Sequence, residues 1–158
     1  MTWTRVVLPA VSVLLVAVYA IGSGRWVTTS ADWYTNLSQP AWQPPPPVFG
    51  LAWSYNFLAL IVVGLVITLQ AQTQTSRTVA YLALFAVSIA FALAWAYLFY
   101  VPHELVASAA FLTLCALTTV GMVVLAFADR WWLGALLLPY QAWLVIAASL
   151  SWGYVRLN

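Results

Sequence analysis

Residues 33–53 read WYTNLSQPAWQPPPPVFGLAW, and the rest of the chain is understood outward from this stretch. Pro44, Pro45, Pro46 and Pro47 follow one another, with Pro40 just before them. Each lacks an amide donor and pushes the residue before it out of the α region, so the run is neither helix interior nor central strand. A stiff, extended connector is expected. It nevertheless carries Trp33, Tyr34, Trp42, Phe49 and Trp53, more aromatic surface than a solvated linker needs. Either the loop folds down as a lid on the elements beside it, or a ligand completes the burial, and the two are compatible.

The chain around it is 65% hydrophobic and 5% charged, with a mean hydropathy of +0.97. These values lie outside the range of soluble globular domains and identify an integral membrane protein. The formal charges are Arg5, Arg25, Asp32, Arg77, Glu104, Asp129, Arg130 and Arg156, grouped between long apolar runs. The groups mark loops. They form no basic patch, so nucleic acid is not an expected partner. Cys115 is the single cysteine, which excludes an intramolecular disulfide and reads as core filling rather than a metal or redox site.

One all-α domain over residues 1–158 is expected, a bundle of five transmembrane helices with a proline- and aromatic-rich loop capping a pocket. The spans are residues 6–22, 48–69, 79–100, 105–128 and 131–155, with 24–47 as the lid loop. Pro9 is tolerable in the first turn of the first span, and Gly22, Ser23 and Gly24 close it. A signal peptide is the rival reading of that span; no small-residue cleavage site is obvious and four hydrophobic runs follow, which favours a retained helix. Arg5, Arg77 and Arg130 fall on one side of the membrane and Arg25 and Arg156 on the other, a weak bias that favours a cytoplasmic N-terminus with the proline-rich loop outside over the reverse orientation. Trp3, Trp131, Trp132 and Trp152 sit at span ends and fit the interfacial aromatic belt.

The remaining helical tryptophans ask for more. Trp53 and Trp95 each lie about five residues, roughly 8 Å, below the loop-side surface. Trp143 lies roughly 18 Å down, with Ala147 and Leu150 above it on one helical face. Phe57 follows Trp53 at i+4, and Phe91 and Phe99 flank Trp95. The set describes an aromatic chamber under the lid. Packing between helices or contact with lipid would account for any one ring, whereas the shared depth beneath an aromatic loop favours a pocket.

Polar residues within the spans are few: Asn56, Gln141 and hydroxyls such as Thr113, Thr118 and Ser149. With no Asp, Glu, Lys, Arg or His at depth, a proton relay or ion-coupled pump is disfavoured. Asn56 and Gln141 read as bridges between helices. His103 stands alone in a turn beside Pro102 and Glu104, so no metal site is expected, and an axial haem ligand there is a remote reading. No Ser/His/Asp or Cys/His set has a geometry suited to nucleophilic catalysis. Pro139 falls inside the fifth span, where a kink beside Trp143 is expected.

The run Trp33-Tyr34, Leu37, Pro40, Trp42, Pro44-Pro45, Val48-Phe49 and Trp53, with Trp95 and Phe99 in the third helix and Pro139-Tyr140 and Trp143 in the fifth, resembles the tryptophan-rich sensory protein (TspO) family, relatives of the mitochondrial translocator protein. The WYxxLxxPxWxPP string is the specific part. The resemblance implies a five-helix bundle in a bacterial cell membrane that binds porphyrins and related tetrapyrroles, haem among them, and in some members sterols and synthetic aromatic ligands. No cofactor is implied beyond such a ligand. Carried onto this chain, the family's pocket falls on Trp33, Pro44, Trp53, Trp95, Trp143, Ala147 and Leu150, with Phe57 and Ala92 at two further positions. Several of its polar residues are absent: Gln39 stands for a usual Lys, Phe57 for a frequent Tyr, Ala92 and Ser151 for usual Asn residues. Each change removes a polar contact to ligand or backbone.

Leu150, Tyr154 and Arg156 match a loose sterol-contact pattern and equally an interfacial Tyr/Arg anchor, the second being favoured. Two functions follow from the resemblance: a sensor or carrier that binds tetrapyrroles, and an enzyme-like light- and oxygen-dependent porphyrin breakdown for which Trp53 and Trp143 are the matching positions. Tryptophan relays radicals but supplies no proton chemistry near neutral pH, so the binder is the primary reading. Ala86, Ala90 and Ala94 recur every four residues, a small-residue ridge on which a parallel homodimer through the third helix is expected. Packing of the ridge within the same bundle is the alternative.

Overall fold

A computed structural model describes residues 3–70 and 75–158, without the side chains of residues 3, 4 and 75. Its helices are α1 (Trp3–Val27), α2 (Ala31–Asn36), α3 (Pro46–Leu69), α4 (Thr75–Tyr100), α5 (Leu105–Asp129) and α6 (Trp131–Leu157). All but α2 are long and apolar enough to cross a membrane. They close a ring: α1 packs on α3 and α4, α3 on α6, and α5 lies between α4 and α6.

The boundaries differ from those expected in ways that have local causes. α1 does not stop at Gly22-Ser23-Gly24 but runs on to Val27, and Ser23 satisfies its hydroxyl within the helix by donating back to the Tyr19 carbonyl at 2.7 Å. Gly22 serves packing, since a Cβ there would come 2.7 Å from Leu93 Cδ2. α3 starts at Pro46: a proline in the first turn surrenders an amide that has no helical partner anyway. α4 starts at Thr75 rather than 79, and Arg77 in its first turn donates to the Ala128 carbonyl at 2.9 Å, tying it to the end of α5. Residues 71–74, within the loop expected between these spans, and the Trp3 side chain lie outside the described residues. α6 is continuous through Pro139, which is exposed, and Tyr55 from α3 donates to the Leu136 carbonyl at 2.9 Å, one residue from the carbonyl that the proline leaves without a donor.

The loop is not one extended connector. After a turn over residues 28–30 it folds as α2, and the stretch 37–45 is extended or turned. Two apolar clusters result. The larger fills the bundle, with Tyr19, Leu60, Val63, Phe85, Leu112, Leu137 and Leu144 among its buried members, and Cys115 is buried within it. The smaller gathers Phe99, Tyr100 and Tyr154 beneath Trp26, Trp33, Tyr34 and Leu37, and so lies under α2. Gln141 bridges α6 to α5, donating to the Ala116 carbonyl at 2.9 Å and accepting from Thr119 Oγ1 at 2.6 Å. Asn56 is buried, but its Nδ2 has no partner.

Candidate ligand-binding site

The lid is fastened at two ends. At one, Trp33 of α2 stacks on the His103 ring with centroids 3.9 Å apart and meets Phe99 edge-on at 5.3 Å. His103 sits in the tight α4–α5 turn with φ of 61°, and Ser30 Oγ donates to the neighbouring Tyr100 carbonyl at 2.7 Å. At the other end the lid lies on the C-terminal turns of α6. Tyr154 Oη bonds Gln43 Oε1 and Tyr34 Oη, Ser38 N donates to Asn158 Oδ1 at 2.9 Å, and Trp42 Nε1 donates to Ser149 Oγ at 3.3 Å.

Between lid and bundle is a cavity of about 720 Å³. This is the size and largely apolar character of a site for a sizeable organic ligand. Its helical wall includes Phe49, Trp53 and Phe57 from α3, Trp95 and Phe99 from α4, and Trp143, Ala147 and Leu150 from α6. Ring packing fixes these groups. Trp53 stacks on Phe57 at 5.4 Å, Tyr19 supports both edge-on from beneath, and Phe49 meets Trp143 edge-on at 5.3 Å. Trp95 Nε1 donates to Ser151 Oγ at 3.2 Å, which holds the indole in place from α6. Trp143 lines the cavity with its ring, and its Nε1 is buried without a hydrogen-bond partner.

Of the nine residues expected to form the pocket, Pro44, Trp53, Phe57, Trp95, Trp143, Ala147 and Leu150 come together on the cavity, while Trp33 and Ala92 are not among its lining residues. Trp33 is a fastener of the lid, and Ala92 is 0% exposed inside the bundle core. Nor does Trp42 help cover the cavity; 54% exposed, it lies on the outer side of α6. Tyr154 departs from the anchor reading, since it is 4% exposed and lines the cavity with Leu150, whereas Arg156 is exposed. The three residues of the sterol pattern therefore do not share one face.

Sequence reasoning missed the contribution of α1. Ala20, Ser23, Gly24 and Val27 of α1, with Thr28 in the turn just after it, line the cavity, a stripe at three- and four-residue spacing made mostly of small residues. That spacing is visible in the sequence once the helix is known to continue past Gly24. Tyr34 and Gln43 were missed as well, because their place depends on how the lid turns back toward α6.

Residues 10–157 match the TspO/MBR family model. Protein CrtK of Rhodobacter capsulatus is 29% identical, the match covering 93% of this chain and 91% of that protein. A tryptophan-rich sensory protein of Cereibacter sphaeroides is 31% identical over 80% of this chain and 77% of its own length. The translocator protein of Sus scrofa is 28% identical, with coverage of 96% and 90%. With five apolar helices and these bacterial relatives, the chain is a multi-pass bacterial membrane protein. It belongs to the TspO/MBR family of membrane sensory and translocator proteins.

Proposed function

We propose that this protein binds porphyrins and related tetrapyrroles in the cavity beneath the lid, as a sensor or carrier of these pigments. The observation that carries the reading is the cavity itself, a space of about 720 Å³ with Trp53, Trp95 and Trp143 on its walls. A flat conjugated macrocycle gains most from such walls, because it offers large apolar faces for stacking and edge contacts. Fused-ring apolar molecules such as sterols fit the same walls with fewer stacking contacts and are the natural competitors.

The test is titration of the purified protein in detergent with protoporphyrin IX in the dark, read by quenching of tryptophan fluorescence. Saturable quenching is expected, and Trp143→Ala should weaken it. Binding that survives unchanged in a variant lacking Trp53, Trp95 and Trp143 would remove the proposal. Illumination of the same complex in air reads the alternative activity. Loss of porphyrin absorbance that requires Trp53 and Trp143 would assign light-dependent breakdown to the site.

A further inference from the structure

Among the described residues, no Asp, Glu, Lys, Arg or His lines the cavity. Its polar side chains are neutral and lie on the lid and the neighbouring end of α1, with Tyr100 and Tyr154 beside them. Several have already committed their hydroxyl protons to backbone carbonyls. Ser23 Oγ donates to the Tyr19 carbonyl at 2.7 Å, Thr28 Oγ1 to the Arg25 carbonyl at 3.2 Å, and Thr35 Oγ1 to the Asp32 carbonyl at 2.9 Å. The Tyr154 hydroxyl is likewise engaged with Gln43 and Tyr34. What Ser23, Thr28 and Thr35 keep for a ligand is acceptor lone pairs.

An ionised carboxylate is an acceptor only, and it is costly to bury without a counter-charge or a set of donors. Such an edge therefore meets the hydroxyls of Ser23, Thr28 and Thr35 acceptor to acceptor, and the donors that remain on the rim, the side-chain amides of Gln39 and Gln43, are neutral and supply no counter-charge. An ester or hydroxyl edge carries no charge to desolvate, and a hydroxyl can donate to the rim oxygens. We infer that the cavity selects tetrapyrroles whose peripheral groups are uncharged, esterified or hydroxylated, over those bearing free carboxylates. The inference rests on the tetrapyrrole reading and specifies its ligand class. Gln39 is the specificity-determining position: it lines the cavity from an exposed place on the lid, where one positive charge stays hydrated in the free protein and faces the ligand edge in the complex.

The experiment compares protoporphyrin IX with its dimethyl ester by tryptophan quenching in lipid nanodiscs, well above the carboxylate pKa range, for the parent and for Gln39→Lys. The parent should bind the ester about tenfold more tightly or better, and Gln39→Lys should tighten the free acid roughly fivefold or more while leaving the ester nearly unchanged. Comparing the two ratios cancels unequal partition of the porphyrins into lipid. A parent that binds the free acid as tightly as the ester, or a ratio that Gln39→Lys does not move, overturns the inference while leaving the tetrapyrrole site in place. Absence of quenching by either porphyrin in the parent instead removes the tetrapyrrole reading, and this inference with it.

Discussion

Gly153 of α6 lies so close to Pro40 of the lid that a Cβ at position 153 would sit 2.6 Å from Pro40 Cγ and 3.0 Å from Trp42 Cζ2. A proline ring has no rotamer by which to retreat, so the lid itself must move. Because Tyr154, the next residue, holds the lid through Gln43 and Tyr34, the displacement falls on the latch. Gly153→Ala is expected to speed release of bound porphyrin by roughly tenfold, with helix content by circular dichroism unchanged. A stopped-flow release rate equal to that of the parent would mean that this contact does not govern exit from the cavity.

Trp33 makes a different prediction from the residues that line the site. It acts by holding α2 on the α4–α5 turn, through a stacked ring pair of a kind worth about 0.5–1.5 kcal/mol beyond the area it buries. Trp33→Ala and His103→Ala should therefore produce the same defect, faster ligand release and faster amide exchange over residues 31–36. Pro44→Ala should also speed release, from within the cavity wall. If His103→Ala left release untouched while Trp33→Ala did not, Trp33 would be acting on the ligand rather than through the turn.

The five spans and the aromatic lid were legible because hydrocarbon and proline impose strong, local constraints. Trp53, Trp95 and Trp143 could be assembled into a chamber from helix direction and residue count alone. Height within the membrane was less legible. Phe49, in the first turn of α3, meets Trp143, about four turns before the end of α6, so counting inward from span ends does not give a common level. Trp33 was misplaced for a related reason: α2 turns its indole onto His103, and neither the helix nor the partner is encoded by periodicity in six residues. Tyr154 looked like an interfacial anchor because Tyr and Arg near a span end usually are, whereas the lid covers this end of α6 and turns the tyrosine into its latch.

Gln141 offers a test of the bundle independent of the site. Its amide joins α6 to α5 through Ala116 and Thr119, where hydrocarbon offers no competing water. Interhelical hydrogen bonds of this kind contribute about 0.6–2 kcal/mol. Gln141→Leu should lower stability by about that amount in mixed-micelle unfolding, without altering porphyrin affinity, since Gln141 is not among the cavity-lining residues. A stability equal to the parent's would show that the apolar substitution compensates for the lost bridge.

The ridge on α4 bears on assembly. Ala86 and Ala90 are exposed and Ala94 is half-buried, while Ala83, Val87 and Tyr97 are exposed beside them. Trp95 turns the other way, onto the cavity, where Ser151 holds it. The small-residue stripe is thus largely left uncovered by the chain's own helices, which answers the alternative that it packs within the bundle. In lipid, association depends on close van der Waals approach of backbones, and alanines four residues apart permit it. A parallel homodimer through α4 is the assembly we propose on this face. Ala90→Leu places a branched side chain at the centre of the ridge and should weaken the dimer by roughly tenfold or more in mild detergent. Porphyrin quenching should stay close to that of the parent, because the substitution lies on the face opposite Trp95. Crosslinking and mass measurement read the first outcome and fluorescence the second. A variant that remains dimeric at concentrations where the parent begins to dissociate would place the interface on another helix, and one that became monomeric and lost binding together would show that two copies are needed to hold the cavity in shape.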